Sequence, residues 1–403
     1  MRLITAPGLL PDGPIAILSP ASGPADAAEV IAKIIRFAQP GTAVRIIPAG
    51  EHPSPDEHVV GYDASAFRRM EAEMAQVSTD TRRRMLDPER AIVMPIPVGA
   101  PYSWAGMGAS LERGREAFVE ETAQQIADSE SRDNHPYFGH SIAKHRAYFE
   151  TMAGRVAEVR EALDDEPSRE AFDAIVAVDG SRMIEIHLAR IYRSVQYFEG
   201  LNFDIPLPKI LNIGIHTGWE LPFLATLMRG RAGTVDCADP MGIAYLDPYV
   251  RGFLGGMHQE MGLHPVAVSS YTGTCRLPVT HDGQAIGGAN GERMAAHPTQ
   301  PFPCTTLDDL MRGAGGYSII KMDTEGGEMD VLWGGINSLP RFRPQMAISI
   351  YHDAAHYLDV ALWIKRHLPD YRMFVRLYSC TSVETLLYAI PREVEPAAGL
   401  LVR

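Results

Sequence analysis

Ile319-Ile320-Lys321-Met322-Asp323-Thr324-Glu325-Gly326-Gly327-Glu328 is the stretch that decides the fold. A short apolar run carries one lysine, ends at an acid, and continues as acid-Gly-Gly-acid. The pattern predicts a buried parallel strand that stops at a sharp turn into a helix. In open α/β sheets ligands bind at the carboxyl ends of the strands. Acids and a lysine crowded at such an edge point to a ligand, a metal or a proton held there. The alternative is an acid-rich helix N-terminus, which the helix dipole favours without any ligand.

Working outward, strands and helices alternate from Pro208 to Ala389. Lys209 to Gly214, Gly233 to Ala238, Pro265 to Val268, Ser318 to Met322 and Met346 to Tyr351 read as strands. Thr217 to Met228, Leu246 to Met261, Thr306 to Met311, Glu328 to Leu339 and Ala354 to His367 read as helices. Arg372 to Tyr378 and Thr385 to Ile390 close the chain as a hairpin. The Gly- and Pro-rich segment His281 to Pro303 reads as a long functional loop. Alternation of this kind implies a parallel α/β sheet.

Upstream, residues 106–207 read as a helical connector or cap. Helices are expected over Ser141 to Leu163, Ser168 to Val178 and Ile184 to Tyr197, with a turn and a proline helix start at Asp164–Ser168. Residues 1–105 read as a small α/β accessory domain. Its expected strands are Ile15 to Leu18, Ala43 to Ile47 and Ala91 to Ile96, with a helix from Ala25 to Phe37. The first turn, Ser19 to Pro24, carries one glycine and two prolines, a poor cradle for a pyrophosphate. Residues 208–403 form the third unit.

The net charge of −13 gives no footprint for nucleic acid. The four cysteines have no metal-binding spacing and read as reduced thiols. No apolar run approaches a membrane span and no signal peptide is evident, so a cytoplasmic protein is expected. A homo-oligomer is compatible with the sequence.

Asn212-Ile213-Gly214-Ile215-His216-Thr217-Gly218 follows a strand and opens a helix. Gly214 and Gly218 would let backbone approach a ligand. The next strand ends at Asp239-Pro240, and an acid there suits the hydroxyls of a ribose. Without GxGxxG, this fits a nucleoside cofactor lacking a diphosphate, and S-adenosylmethionine is the obvious one.

Lys321 to Glu328, followed by Leu332-Trp333-Gly334-Gly335, resembles the hallmark of the FkbM-type S-adenosylmethionine-dependent methyltransferases. Thr305-Thr306-Leu307-Asp308-Asp309-Leu310 resembles the family's lead-in to that strand, and Ala267 to Thr274 its third-strand and hairpin pattern. The likeness covers about residues 208–391, with weaker likeness at Asp165–Arg169 and Gln196-Tyr197-Phe198. Asn212 stands where the family usually has an acid, and Ile215-His216-Thr217 replaces a smaller sequence.

The resemblance implies a class I methyltransferase (Rossmann-like) fold, a seven-stranded, mostly parallel sheet with a reversed last strand. It implies cofactor over the tips of the first two strands, near Asn212, Gly214, His216, Gly218 and Asp239. Val268 and Ser269 would lie by the adenine, and Asp323 would face the methyl group. The implied acceptor is a small molecule, the hydroxyl of a sugar or natural product.

A hydroxyl needs a base or a metal to become a nucleophile. Asp323 and His352 are expected to flank it, with His352 either the base or a capping or core histidine. Glu325 would assist acceptor binding. Glu328 reads as a helix cap and Lys321 as the partner of one of these acids. Mg²⁺ could bind Asp323 with Glu325 and Glu328, or a metal could sit between His352, Asp353 and His356. Two other readings remain at this point: a catalytically inactive cofactor-binding scaffold and an NAD-type oxidoreductase.

Overall fold

Every residue of Ile319–Met322 is buried, as a strand covered on both faces requires. The computed structural model describes residues 2–3, 12–18, 28, 32, 35, 41–48, 51–54, 56–61, 91–93, 120, 142–189, 196–198, 200–218, 220–221, 224, 228, 232–246, 261–287, 297–378 and 382–397.

Near the N-terminus, β1 (Arg2–Leu3), β2 (Ile15–Leu18), β3 (Val44–Ile47), β4 (His58–Gly61) and β5 (Ala91–Val93) form one sheet. The order is β1-β5-β4-β2-β3, and every pairing is parallel. From the far edge this is a doubly wound order in which the first strand of the chain takes the last place. Neither β1 nor β4 was expected from the sequence. Of the expected helix Ala25 to Phe37, the described residues Ala28, Ala32 and Ile35 are helical and buried.

Among the described residues four helices follow: α1 (Ile142–Thr151), α2 (Ala153–Ala162), α3 (Glu166–Ala177) and α4 (Gly180–Ala189). Asp165 caps α3 by accepting the Ser168 amide at 2.9 Å, and Pro167 occupies the first helical turn. The C-terminal elements are β6 (Lys209–Ile213), β7 (Thr234–Ala238), β8 (Met261–His264), β9 (Ala267–Ser269), β10 (Gly273–Pro278), β11 (Thr299–Thr306), α5 (Leu307–Ala314), β12 (Ile319–Met322), α6 (Glu328–Gly334), α7 (Ser338–Phe342), β13 (Gln345–Ser349), α8 (His356–His367), β14 (Tyr371–Leu377) and β15 (Thr385–Pro391).

The main sheet runs β14-β15-β13-β12-β6-β7-β8. Only β15 is antiparallel to its neighbours. This is the seven-stranded class I methyltransferase sheet with its last strand reversed. The winding direction changes between β6 and β12, which opens a crevice at their carboxyl ends.

Two expectations are corrected here. The third strand of the sheet is β8, not Pro265 to Val268, so Met261 ends no helix; residues 247–260 lie outside the described residues. A side chain at Gly262 would place its Cβ 1.9 Å from Asp236 Oδ1, so the close strand pairing needs this glycine. Ala267–Ser269 instead joins a small sheet of order β10-β11-β9. The expected loop His281 to Pro303 is also shorter, because Thr299–Pro303 pairs with β10. Its prolines, which donate no amide, disguised that strand.

The helices before the sheet share its core. Phe149, Val159, Phe172 and Ile175 pack in one cluster with Trp363 and Leu377. Edge strand β14 is covered by α3: Asp164 Oδ2 accepts the Met373 amide at 2.7 Å and Ser168 Oγ accepts the Val375 amide at 3.0 Å. Arg376, 1% exposed, donates to Asp165 at 2.6 Å and to Ser168 at 2.7 Å.

Candidate active site

The crevice between β6 and β12 is shaped first by Gly214. Its φ is +80°, and a Cβ there would lie 1.7 Å from the Asp323 carbonyl oxygen. Gly214 therefore lets the loop after β6 lie against the end of β12. Gly218 takes the left-handed φ of +75° that favours glycine, and a Cβ there would also meet the end of the Leu246 side chain at 2.4 Å. Beneath the loop, buried Asn212 donates to Glu220 at 2.8 Å, and burial pushes the Glu220 carboxyl up. Lys321, 2% exposed, donates to the Gly214 carbonyl and stands 3.7 Å from Glu220. Its acid partner is thus Glu220 rather than Asp323, Glu325 or Glu328.

Above the crevice is a cavity of about 460 Å³. Gly214, His216, Asp239, Val268, Ser269, Asp323 and Glu325 line it, as does Tyr197. Among the expected site residues, Asn212, Gly218 and His352 stand behind the wall. Asp239 is 7% exposed, and it accepts the amides of Ile215 at 2.8 Å, His216 at 3.2 Å and Met241 at 2.7 Å. It therefore ties the tip of β7 to the loop after β6. His216 reaches across to Gln284, whose amide nitrogen lies 2.6 Å from His216 Nε2. That contact links the loop to the segment following β10.

Asp323 has a polar neighbour at each carboxylate oxygen. Oδ2 accepts the Tyr197 hydroxyl at 2.6 Å, and Oδ1 lies 3.4 Å from His352 Nε2. The other nitrogen of His352, Nδ1, lies 3.0 Å from Glu328 Oε1. Glu328 is fully buried and also faces His356 Nδ1 at 3.2 Å. It accepts the Thr324 amide at 2.9 Å, so it closes the turn as well as facing the histidines. Glu325 and Gly326 make that turn with φ of +54° and +102°.

Burial alone would push His352 down. The charges of Glu328, Glu325 and Asp323 outweigh it and hold His352 up at about 10. Burial would likewise raise Glu328, but His352 and His356 hold it well below the usual carboxylate range. His352 is therefore an imidazolium at neutral pH. Burial, then the Asp323 and Glu384 charges, keep the Tyr197 and Tyr351 hydroxyls protonated well beyond 10.

Asp323, Glu328 and His352 bring ligand atoms within 4.8 Å of one another. Asp323 and Glu328 stand beside opposite nitrogens of the His352 ring. Asp353 accepts the Ala355 amide at 2.8 Å and acts as a turn residue before α8, not as a metal ligand beside His352 and His356.

Residues 248–373, which include the β12 turn, match the family model described as Methyltransferase FkbM domain. Over that stretch, under a third of its length, the chain is similar to the FkbM methyltransferase domain. A search of curated proteins finds no match. Among solved structures, a methyltransferase FkbM from Methylobacillus flagellatus KT is 17% identical, with 93% of this chain and 89% of that chain covered and a TM-score of 0.49. The SAH-bound Podospora anserina methyltransferase PaMTH1 is 10% identical, with 67% and 95% covered and a TM-score of 0.29. Among the described residues no helix is long and apolar enough to cross a membrane.

Several residues that identify the FkbM-type domain by sequence turn out to be structural. Thr306 caps α5 by accepting the Asp309 amide at 3.1 Å. Asp308 accepts the Ser338 amide at 2.8 Å and the Asn337 side chain at 2.7 Å, anchoring α7. Gly334 lets α6 touch β9, because a Cβ there would lie 2.2 Å from the Ser269 carbonyl. Tyr197 is the site residue that sequence reading missed. Its only sequence signal was the weak family likeness of Gln196-Tyr197-Phe198.

Proposed function

We propose that the domain is an S-adenosylmethionine-dependent methyltransferase that O-methylates a hydroxyl of a sugar or natural product. The observation that carries this reading is the cavity itself. It spans the tips of β6 and β7 and reaches the acid-rich turn after β12, and its size suits a ligand pocket of roughly 300–1,000 Å³. Val268, Ala267, Leu277 and Met241 supply apolar wall suited to an adenine. Asp239 offers its remaining lone-pair capacity to a ribose hydroxyl. The backbone of the Gly214–Thr217 loop lies along the same wall. When bound, the cofactor supplies an electrophilic methyl group on a good leaving group.

The chain's task is to orient the acceptor and receive its proton. His352, already protonated and behind the wall, does not serve as the base. That role falls to Asp323, which lines the cavity, while His352 holds it in place. Glu325, on the same turn and lining the cavity, binds the acceptor. Calorimetric titration with S-adenosylhomocysteine tests the reading. The parent protein should bind, and Asp239→Asn should bind at least about tenfold more weakly, because it loses both the clamp and the ribose contact. A parent protein that takes up no S-adenosylhomocysteine refutes the reading.

A further inference from the structure

We propose that Tyr197 is a positioning residue for methyl transfer, its hydroxyl holding the Asp323 carboxylate in place at the cavity wall. The inference rests on the reading of the cavity as a methyl-transfer site and adds to it a residue from outside the matched domain.

Three observations carry it. The Tyr197 hydroxyl donates to Asp323 Oδ2 at 2.6 Å, the distance of a charge-assisted bond. Its ring lines the cavity and stacks under Lys321, whose Nζ lies 4.7 Å from the ring centroid. Its backbone has φ +70°, which a bulky residue adopts only where its surroundings compel it.

The ring therefore touches both halves of the site. Lys321 grips the Gly214 carbonyl on the cofactor side, and Asp323 stands on the acceptor side. Oδ1 lies 3.4 Å from His352 Nε2 without a hydrogen bond to it, so the Tyr197 donor on Oδ2 is what orients the carboxylate. A base held this way loses little motion when the acceptor arrives. A purely structural tyrosine would need its ring on Lys321 but not its hydroxyl on Asp323.

Tyr197→Phe separates the two, since it keeps the ring and removes only the donor. The first measurement needs no acceptor. With carbon-13-labelled aspartate, the infrared difference between the parent and Asp323→Asn isolates the Asp323 carboxylate stretch. Tyr197→Phe should shift that band, and an unmoved band overturns the proposal whether or not methyl transfer occurs.

The second measurement uses labelled S-adenosylmethionine and a panel of methyl glycosides of neutral hexoses. Tyr197→Phe should lower kcat roughly tenfold to a hundredfold, with the S-adenosylhomocysteine Kd and the Tm close to the parent values. In an Asp323→Asn background the same substitution should change nothing further. An undiminished kcat, or an equal loss in both backgrounds, overturns the proposal. Failure of the parent to bind S-adenosylhomocysteine would instead strike the reading beneath it.

Discussion

Glu328→Gln tests the electrostatics of the site most directly. Glu328 is fully buried between His352 and His356, 3.0 Å and 3.2 Å from their Nδ1 atoms. A glutamine keeps the shape and can still accept the Thr324 amide, but it removes the negative charge. His352 then remains buried as a cation without its main partner. Removing one member of a buried ion pair costs about 3–5 kcal/mol. The histidine gives a consistent figure: its pKa rises from 6.5 to about 10, and at about 1.4 kcal/mol per unit the lift is worth up to about 5 kcal/mol. The depressed Glu328 carboxyl is the same interaction seen from the other partner, so the two are not added.

The pH dependence separates this cost from ordinary repacking. A raised histidine pKa stabilises the fold in full below 6.5 and loses that contribution as pH rises through about 10. In urea denaturation the gap between the parent and Glu328→Gln should be about 3–5 kcal/mol near neutral pH and should narrow markedly above pH 10. Tyrosine, lysine and cysteine titrations are common to both proteins and cancel in the difference. Trp333 and Trp363, 5.7 Å apart on α6 and α8, report fluorescence from the two helices that Glu328 and His356 begin. A gap under about 1 kcal/mol near neutral pH, or one independent of pH, would show that His352 is not held charged by Glu328.

Gly214→Ala should destabilise by more than about 2 kcal/mol, from the left-handed backbone and the clash with the Asp323 carbonyl. It should also weaken S-adenosylhomocysteine binding in calorimetry, whereas normal stability would mean that the loop sits elsewhere. Asp165→Ala should cost about 3–5 kcal/mol in urea denaturation, because buried Arg376 loses its ion pair. Burial opposes the depressed Asp165 pKa but Arg376 outweighs it, so the parent should shed this contribution as pH falls below the model-peptide value of 3.8, and the variant should not.

The parallel sheet was legible because β12, β13 and β15 are mostly apolar runs bounded by turn residues, as strands covered on both faces must be. Strand β8, Met-Gly-Leu-His at the edge with Leu263 40% exposed, has no such signature and forms only because β7 offers it hydrogen bonds. The site divides in the same way. Asp323 and Glu325 stood out as acids at a strand end, a local pattern. Tyr197 meets Asp323 across 126 positions of sequence through a turn that no periodicity marks. Gly214 was legible as a required glycine, but not the tertiary neighbour that requires it, backbone at the end of a strand more than a hundred residues later. Asp239 is where local and tertiary demands meet. A carboxylate has about four acceptor positions, and the Ile215, His216 and Met241 amides take three. On the proposed reading, one acceptor position of Asp239 is left for a ribose hydroxyl. The affinity Asp239 lends to a nucleoside must come largely from the loop it holds in place.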